Sequence, residues 1–466
     1  MSNYSNTLLM SGVIGILLMI PSSADAARNR NTHKPNVLII MADDLGYGDL
    51  SVTGGKDVQT PNIDELFLRG LIFTEFYTNS TVGSPTQASL LSGRYPGLVG
   101  VPGVIRDDND NSWGYFQSDT TLSAHFQKAG YTTALIGKWN LGFESPNLPN
   151  EKGFDLFMGF LGDQIDDAYS HLNNGKNYMR FNENEIETPE HLTNSFSNWS
   201  SDFITREADS EKPFLLLLSY NAPSPLLQPD ENWLNKVKEH HPELSLNRAK
   251  NVASIEMMDD GIGKIIETLE ATNQLKNTII IFSSENTGLL SSGSSNGAMR
   301  GGKHDLYEGG IRVPTSIFWK DEIKKGSFCH QIAMTMDLFP TLCELTESPT
   351  NLELDGENLT QCIFKDIPLQ KERTLFWVCR EGGQYKGQAY YAVRQGAYKL
   401  MQNSPDESFQ LYNLTTDSFE QIPLRKSSEH YQRLQDTLSL HILENEKVSW
   451  RKINTEKKLI QSMNAE

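Results

Sequence analysis

Six polar residues stand close behind apolar runs in this sequence: Asp43 and Asp44 after Asn36 to Met41, Lys138 at the end of Tyr131 to Gly137, Ser224 after Phe214 to Tyr220, and Glu285 and Asn286 after Thr278 to Phe282. Their side chains are suited to charge work. Carboxylates and an amide offer oxygen atoms, and a lysine can neutralise charge that develops on an anion. None of the six is a histidine, the side chain best placed to carry a proton near neutral pH. Two adjacent acids on their own also read as turn or helix-cap residues. A seventh position, Gly83 in Gly83-Ser84-Pro85-Thr86-Gln87, contributes no side chain and is expected on a loop before a helix opened by Pro85.

Residues so far apart can meet only if the apolar runs are neighbouring strands. Helix-like segments fall between the runs, at Pro61 to Arg69, Thr121 to Ala129, Leu192 to Ala208 and Asn247 to Ala271. This alternation predicts a doubly wound α/β fold, with a mostly parallel sheet and helices on both faces. In open sheets of this kind ligands bind beyond the carboxyl ends of the strands. The pattern therefore places Asp43, Asp44, Lys138, Ser224, Glu285 and Asn286 on one rim, with Gly83 beside it. From about Leu354 the texture changes to short strand candidates, Arg373 to Arg380, Ala389 to Arg394, Tyr398 to Met401 and Ser408 to Leu414, followed by a helical period over Ser427 to Asn445. That predicts a smaller antiparallel sheet with one packed helix. The expected division is a signal peptide over 1–26, a large domain over 35–350 and a C-terminal α+β subdomain over 354–466.

The chain of 466 residues carries a formal charge of -18, from 41 basic and 59 acidic side chains. That balance argues against nonspecific attraction to nucleic acid or an anionic membrane, so an anionic ligand must be captured by local cations. The apolar run Thr7 to Ile20 followed by Ser23-Ala24-Asp25-Ala26 reads as a secretory signal cleaved after Ala26, which predicts export; the segment has no Lys or Arg before Arg28. No later stretch is long and apolar enough to span a bilayer. Cys329, Cys343, Cys362 and Cys379 are open to two readings, a pair of disulfides or free buried thiols. Oligomeric state leaves no mark on the sequence.

The ordered motifs Met41-Ala42-Asp43-Asp44-Leu45-Gly46-Tyr47-Gly48-Asp49, Thr60-Pro61-Asn62-Ile63-Asp64, Leu91-Ser92-Gly93-Arg94-Tyr95-Pro96, Gly130 to Trp139, Arg300-Gly301-Gly302-Lys303 and Tyr307 to Pro314 resemble the type I sulfatases of the alkaline-phosphatase superfamily, over almost the whole mature chain. The resemblance implies a calcium site formed by Asp43, Asp44, Glu285 and Asn286, although Glu285 is one methylene longer than the Asp usual there. Three carboxylates and an amide oxygen suit a hard cation. It also implies that Lys138 and Lys303 hold a sulfate group, and that the partner is a sulfated small molecule or glycan. His304, Asp305, Arg312 and Trp139 are open between lining the pocket and packing.

The same resemblance exposes what is missing. Active members read CxPxR at the Gly83 position, and the Cys is oxidised to the formylglycine nucleophile. Covalent catalysis needs such an atom, and Gly83 has none, so no formylglycine is expected. Ser84 cannot take its place without moving Pro85 out of register. The family arginine is Gln87, and its two histidines are Asn140 and Ser224, which cannot exchange protons near neutral pH. Three readings follow: a non-catalytic protein that binds a sulfated or phosphorylated carbohydrate, a hydrolase that uses metal-bound water, and an interaction protein with a vestigial pocket.

Overall fold

The strand Asn36–Ala42 is buried at every residue, and its alternate side chains enter two different cores. Val37, Ile39 and Met41 pack on one face with Leu90 and Leu91. Leu38 and Ile40 pack on the other with Ile63, Phe196 and Ile255. A strand covered on both faces needs a continuous apolar run, which explains why its sequence does not alternate. The computed structural model describes Met1 and residues 34–451, apart from 109–111, 119, 225–227, 370–371 and 381–384. The expected signal peptide lies outside the described residues but for Met1.

Asn36–Ala42 sits in a ten-stranded sheet. It pairs in parallel with Phe214–Ser219 on one side and Thr278–Ser284 on the other. Phe214–Ser219 continues in parallel to Thr132–Lys138, and that strand to Leu156–Phe160. Thr315–Trp319 joins antiparallel beside Thr278–Ser284, and Met179–Phe181 antiparallel beside Leu156–Phe160. Helices Pro61–Arg69, Leu192–Glu207 and Leu246–Ala271 cover one face through Ile63, Phe196 and Ile255. On the other face lies Gly83–Ser92, a helix buried at all ten positions and closed by Gly93 at φ +66, whose N–H reaches Ser89 O.

The C-terminal strands Thr374–Arg380, Ala389–Gln395, Tyr398–Gln402 and Gln410–Asn413 form an antiparallel meander. Helix Glu429–Glu446 packs Leu434 and Leu438 against Val393, Leu400 and Leu411 of that sheet. This is the mostly parallel sheet with a smaller antiparallel sheet and packed helix that the sequence predicts. The helix expected to open at Pro85 starts two residues earlier, so Gly83 lies in its first turn. Pro is tolerated at the third position because the first N–H groups of a helix have no partner inside it. All four cysteines are buried and unbridged, the free-thiol reading of the two. Among the described residues no helix is long and apolar enough to cross a membrane.

Candidate active centre

Parallel register brings the strand ends level. Ala42 lies beside Ser284, Met41 beside Ser219, and Ser219 beside Gly137. The residues that follow leave the same edge of the sheet. Glu285 N–H donates to Ala42 O at 2.9 Å, and Asp43 N–H donates to Ala222 O at 2.9 Å. Asn286 ties the two loops: its Oδ1 accepts from Asp44 N at 2.8 Å, and its Nδ2 donates to Asp43 Oδ1 at 3.2 Å. Asp44 takes a positive φ of 64, uncommon for a non-glycine residue outside tight turns.

Lysines stand among these acids. Lys138, the last residue of its strand and 0% exposed, reaches Asp43 Oδ2 at 2.6 Å, Asp163 Oδ1 at 3.5 Å and the Glu285 carboxyl at contact distance. Lys303 Nζ lies 2.6 Å from Asp44 Oδ1. Burial disfavours the Lys138 ammonium, but the adjacent Asp43 and Glu285 carboxyls outweigh that and hold it charged. Burial pushes Asp44 up to about 7 against the pull of Lys303. Burial likewise drives Glu285 well above the usual carboxylate range, against Lys138 and with the push of Asp43.

Gly83 faces this group. A Cβ built on it would lie 2.7 Å from Glu285 Oε1 and 2.8 Å from Asn140 Nδ2. Asn140, at φ +55, donates from Nδ2 to Asp163 Oδ1 at 2.9 Å and accepts from Ser84 Oγ at 2.7 Å. Ser84 Oγ in turn accepts from Ile105 N–H at 3.0 Å. Gln87 Nε2 donates to Lys138 O at 3.1 Å, so the amide holds the backbone of the strand end. Among the described residues Ser224 makes no side-chain bond to this group; its N–H donates to Asn221 O at 3.1 Å in the turn after Phe214–Ser219.

The four residues left open between lining and packing have other partners. Trp139 is a core residue whose Nε1 donates to Asn147 O at 2.7 Å. Asp305 accepts from Gly302 N–H and Asn403 Nδ2, and His304 O accepts from Tyr390 Oη. Arg312 lies over the Tyr47 ring, 3.9 Å from Glu308. Asp163 escaped the sequence reading because Leu156–Phe160 is short and was not counted as a strand. The rule of polar residues beyond strand ends would have found it.

Four carboxyl groups (Asp43, Asp44, Asp163, Glu285) share this buried space with two ammonium groups (Lys138, Lys303). Fully ionised, they leave two negative charges unmatched, and Asp44 Oδ2 is buried without a hydrogen bond. In donor type and charge the set fits a hard divalent cation. Among the described residues no three acidic, His or Cys side chains already surround a common point, because the lysines stand between them.

Comparison with known proteins gives these positions a context. The sulfatase family model matches residues 35–348, and the model for the C-terminal region of N-sulphoglucosamine sulphohydrolase matches residues 302–448. The chain is 29% identical to mouse (Mus musculus) N-acetylgalactosamine-6-sulfatase over 406 residues, covering 82% of this chain and 75% of the relative. It is 29% identical to arylsulfatase A of Homo sapiens over 404 residues, covering 78% and 74%. The crystal structure of Ps i-CgsB in complex with k-i-k-neocarrahexaose superposes with a TM-score of 0.81 at 29% identity, covering 91% of this chain and 96% of that one.

Proposed function

We infer, for a chain that belongs to the sulfatase family, that it binds sulfated carbohydrate without formylglycine-dependent hydrolysis. One observation supports this reading: Gly83, which the motif resemblance sets at the nucleophile position, has no side chain, and its would-be Cβ position is hemmed in by Glu285 and Asn140. Nucleophilic catalysis needs a reactive atom and a group to protonate the leaving oxygen. Asn140 and Ser224 supply neither. The relatives named for sulfated sugars, and the complex with a neocarrahexaose, support a carbohydrate as the partner.

The place for a sugar is a pair of adjoining clefts outside the buried centre. One, of about 700 Å3, is lined by Arg106, Phe143, Lys176 and Tyr178. The other, of about 320 Å3, shares those four side chains and reaches Asp163, which touches both Lys138 and Asn140. Phe143 and Tyr178 pack edge to face at 5.1 Å. Asp107 lines both clefts as well, paired with Lys176 and accepting from Tyr178 Oη, so an anionic group on the sugar would take the place of that carboxylate while the ring meets the aromatic side chains. Calcium, if bound, would be held by Asp43, Asp44 and Asn286, with Glu285 joining only by leaving Lys138, and would supply the positive charge that the two lysines leave short.

The test pairs turnover with binding. The full chain is expected to release no product from p-nitrophenyl sulfate, with or without calcium, and to bind a sulfated carrageenan oligosaccharide in calorimetry. Lys176→Ala and Tyr178→Ala should each weaken that binding roughly tenfold, the loss of about 1.4 kcal/mol that one contact can supply. Turnover abolished by Lys138→Ala would overturn the reading.

A further inference from the structure

Two substitutions that look like independent losses in the sequence occupy one volume in the structure. Position 83 has lost a side chain and position 285 has gained a methylene. The Glu285 carboxyl fills the difference, with Oε1 2.7 Å and Cδ 3.0 Å from the Cβ that Gly83 lacks. A Cβ at 83 would therefore require the ends of the Glu285 and Asn140 side chains to move, and both are held in a buried, bonded group. The Glu285 carboxyl also lies against Lys138, which is completely buried beneath it. Asn140 closes the adjacent side, 2.8 Å from the same point, held by Ser84 and Asp163.

We propose that Glu285 is a built-in plug: its carboxyl fills the space of the missing nucleophile, occupies Lys138, and closes the innermost site to a sulfate group. The consequence for ligand choice, unlike the plug itself, rests on the reading of the chain as a sulfated-carbohydrate binder. A sulfated sugar then docks in the outer clefts without delivering a sulfate to Lys138. Glu285 thus decides which part of the ligand is recognised, sugar and outer anionic groups, not a sulfate at the former reaction centre. The exchange is reciprocal, since shortening Glu285 opens the space that a side chain at 83 needs.

Thermal melting and calorimetry of the full chain test the plug, with inorganic sulfate as the probe and chloride at equal ionic strength as the control. Wild type is expected to show no sulfate-specific shift. Glu285→Asp should bind sulfate at least tenfold more tightly than wild type, and Lys138→Met in that background should abolish the gain. Wild type that binds sulfate through Lys138 as tightly as Glu285→Asp overturns the proposal. So does a Glu285→Asp protein that folds and gains no affinity. The second arm does not depend on that variant folding: Gly83→Ala should lower the melting temperature of the otherwise wild-type chain, and a neutral Gly83→Ala sinks the shared-volume argument. Where Glu285→Asp folds, Gly83→Ala should cost less in that background. Carrageenan-oligosaccharide binding to wild type, measured with Lys176→Ala and Tyr178→Ala, separates the two ideas. If it is absent while Glu285→Asp gains sulfate, the binding reading fails and the plug stands.

Discussion

Asn140 is fixed at both ends of its side chain. Its left-handed φ of 55 is a conformation that Asn tolerates better than most residues, and both ends of its amide are bonded, to Ser84 and Asp163. Asn140→Ala should therefore cost about 1–3 kcal/mol in urea unfolding, the penalty for leaving buried partners unsatisfied. An unchanged midpoint would show that the network contributes nothing. Asp44 supports a second expectation. With Oδ2 buried and unbonded, calcium should raise the melting temperature and a chelator reverse it, whereas Asp44→Asn should blunt the response. That Asp43, Asp44, Lys138, Glu285 and Asn286 meet at one sheet edge was readable in the sequence, because each follows or ends an apolar run. That Glu285 lies on Gly83 was not readable. The first turn of helix Gly83–Ser92 meets the end of strand Thr278–Ser284 only in the folded chain, far apart as they are in sequence.

At the scale of elements, long buried segments were legible and short or edge ones were not. Asn36–Ala42, Thr132–Lys138 and Phe214–Ser219 lie within a residue or two of their apolar runs, because burial on both faces leaves little freedom in residue type. Thr278–Ser284 runs past its apolar stretch into two serines, since a strand end beside a polar centre no longer needs apolar side chains. Leu71–Phe73 and Thr315–Trp319 are too brief for periodicity to mark them. One joint between elements was equally hidden: Arg248 on helix Leu246–Ala271 reaches Asp49 and Asp57 in the segment after the first strand. Burial pushes Asp49 up to about 6, with Arg248 pulling the other way. Removing Arg248 would strand that carboxyl, so Arg248→Met should destabilise by about 2 kcal/mol, less than a fully buried pair because Asp57 is partly exposed. Chemical denaturation reads this directly, and a loss below about 0.5 kcal/mol would reassign the pair to the surface class.

Across the whole molecule, a buried charge cluster joins the C-terminal sheet to the helix Glu308–Ile311 and the strand Phe76–Tyr77. Glu308, from the short helix Glu308–Ile311, accepts from Lys399 at 3.0 Å and from Tyr77 Oη at 2.6 Å, and Lys399 also meets Glu420 at 2.8 Å. Burial alone would raise Glu308, but the Lys399 and Arg394 charges and the Tyr77 hydroxyl outweigh it and hold the carboxyl down to about 2. A carboxyl held below its ordinary value of 4.5 adds stability at higher pH and loses it as pH falls through the window from about 4.5 to about 2. Glu420 is shifted the other way, chiefly by burial, with Lys399 opposing and Glu308 reinforcing, so it offsets part of that slope. Lys399→Met removes the cation that both acids share. It should cost about 3–5 kcal/mol near neutral pH, as expected when one partner of a buried pair is removed. It should also flatten the acid limb, because Glu308 would no longer be held low. Unfolding midpoints measured from pH 7 down to pH 3 give both quantities. A parallel loss at every pH would mean that Lys399 acts through packing, and that the C-terminal sheet is not joined by charge to the helix Glu308–Ile311.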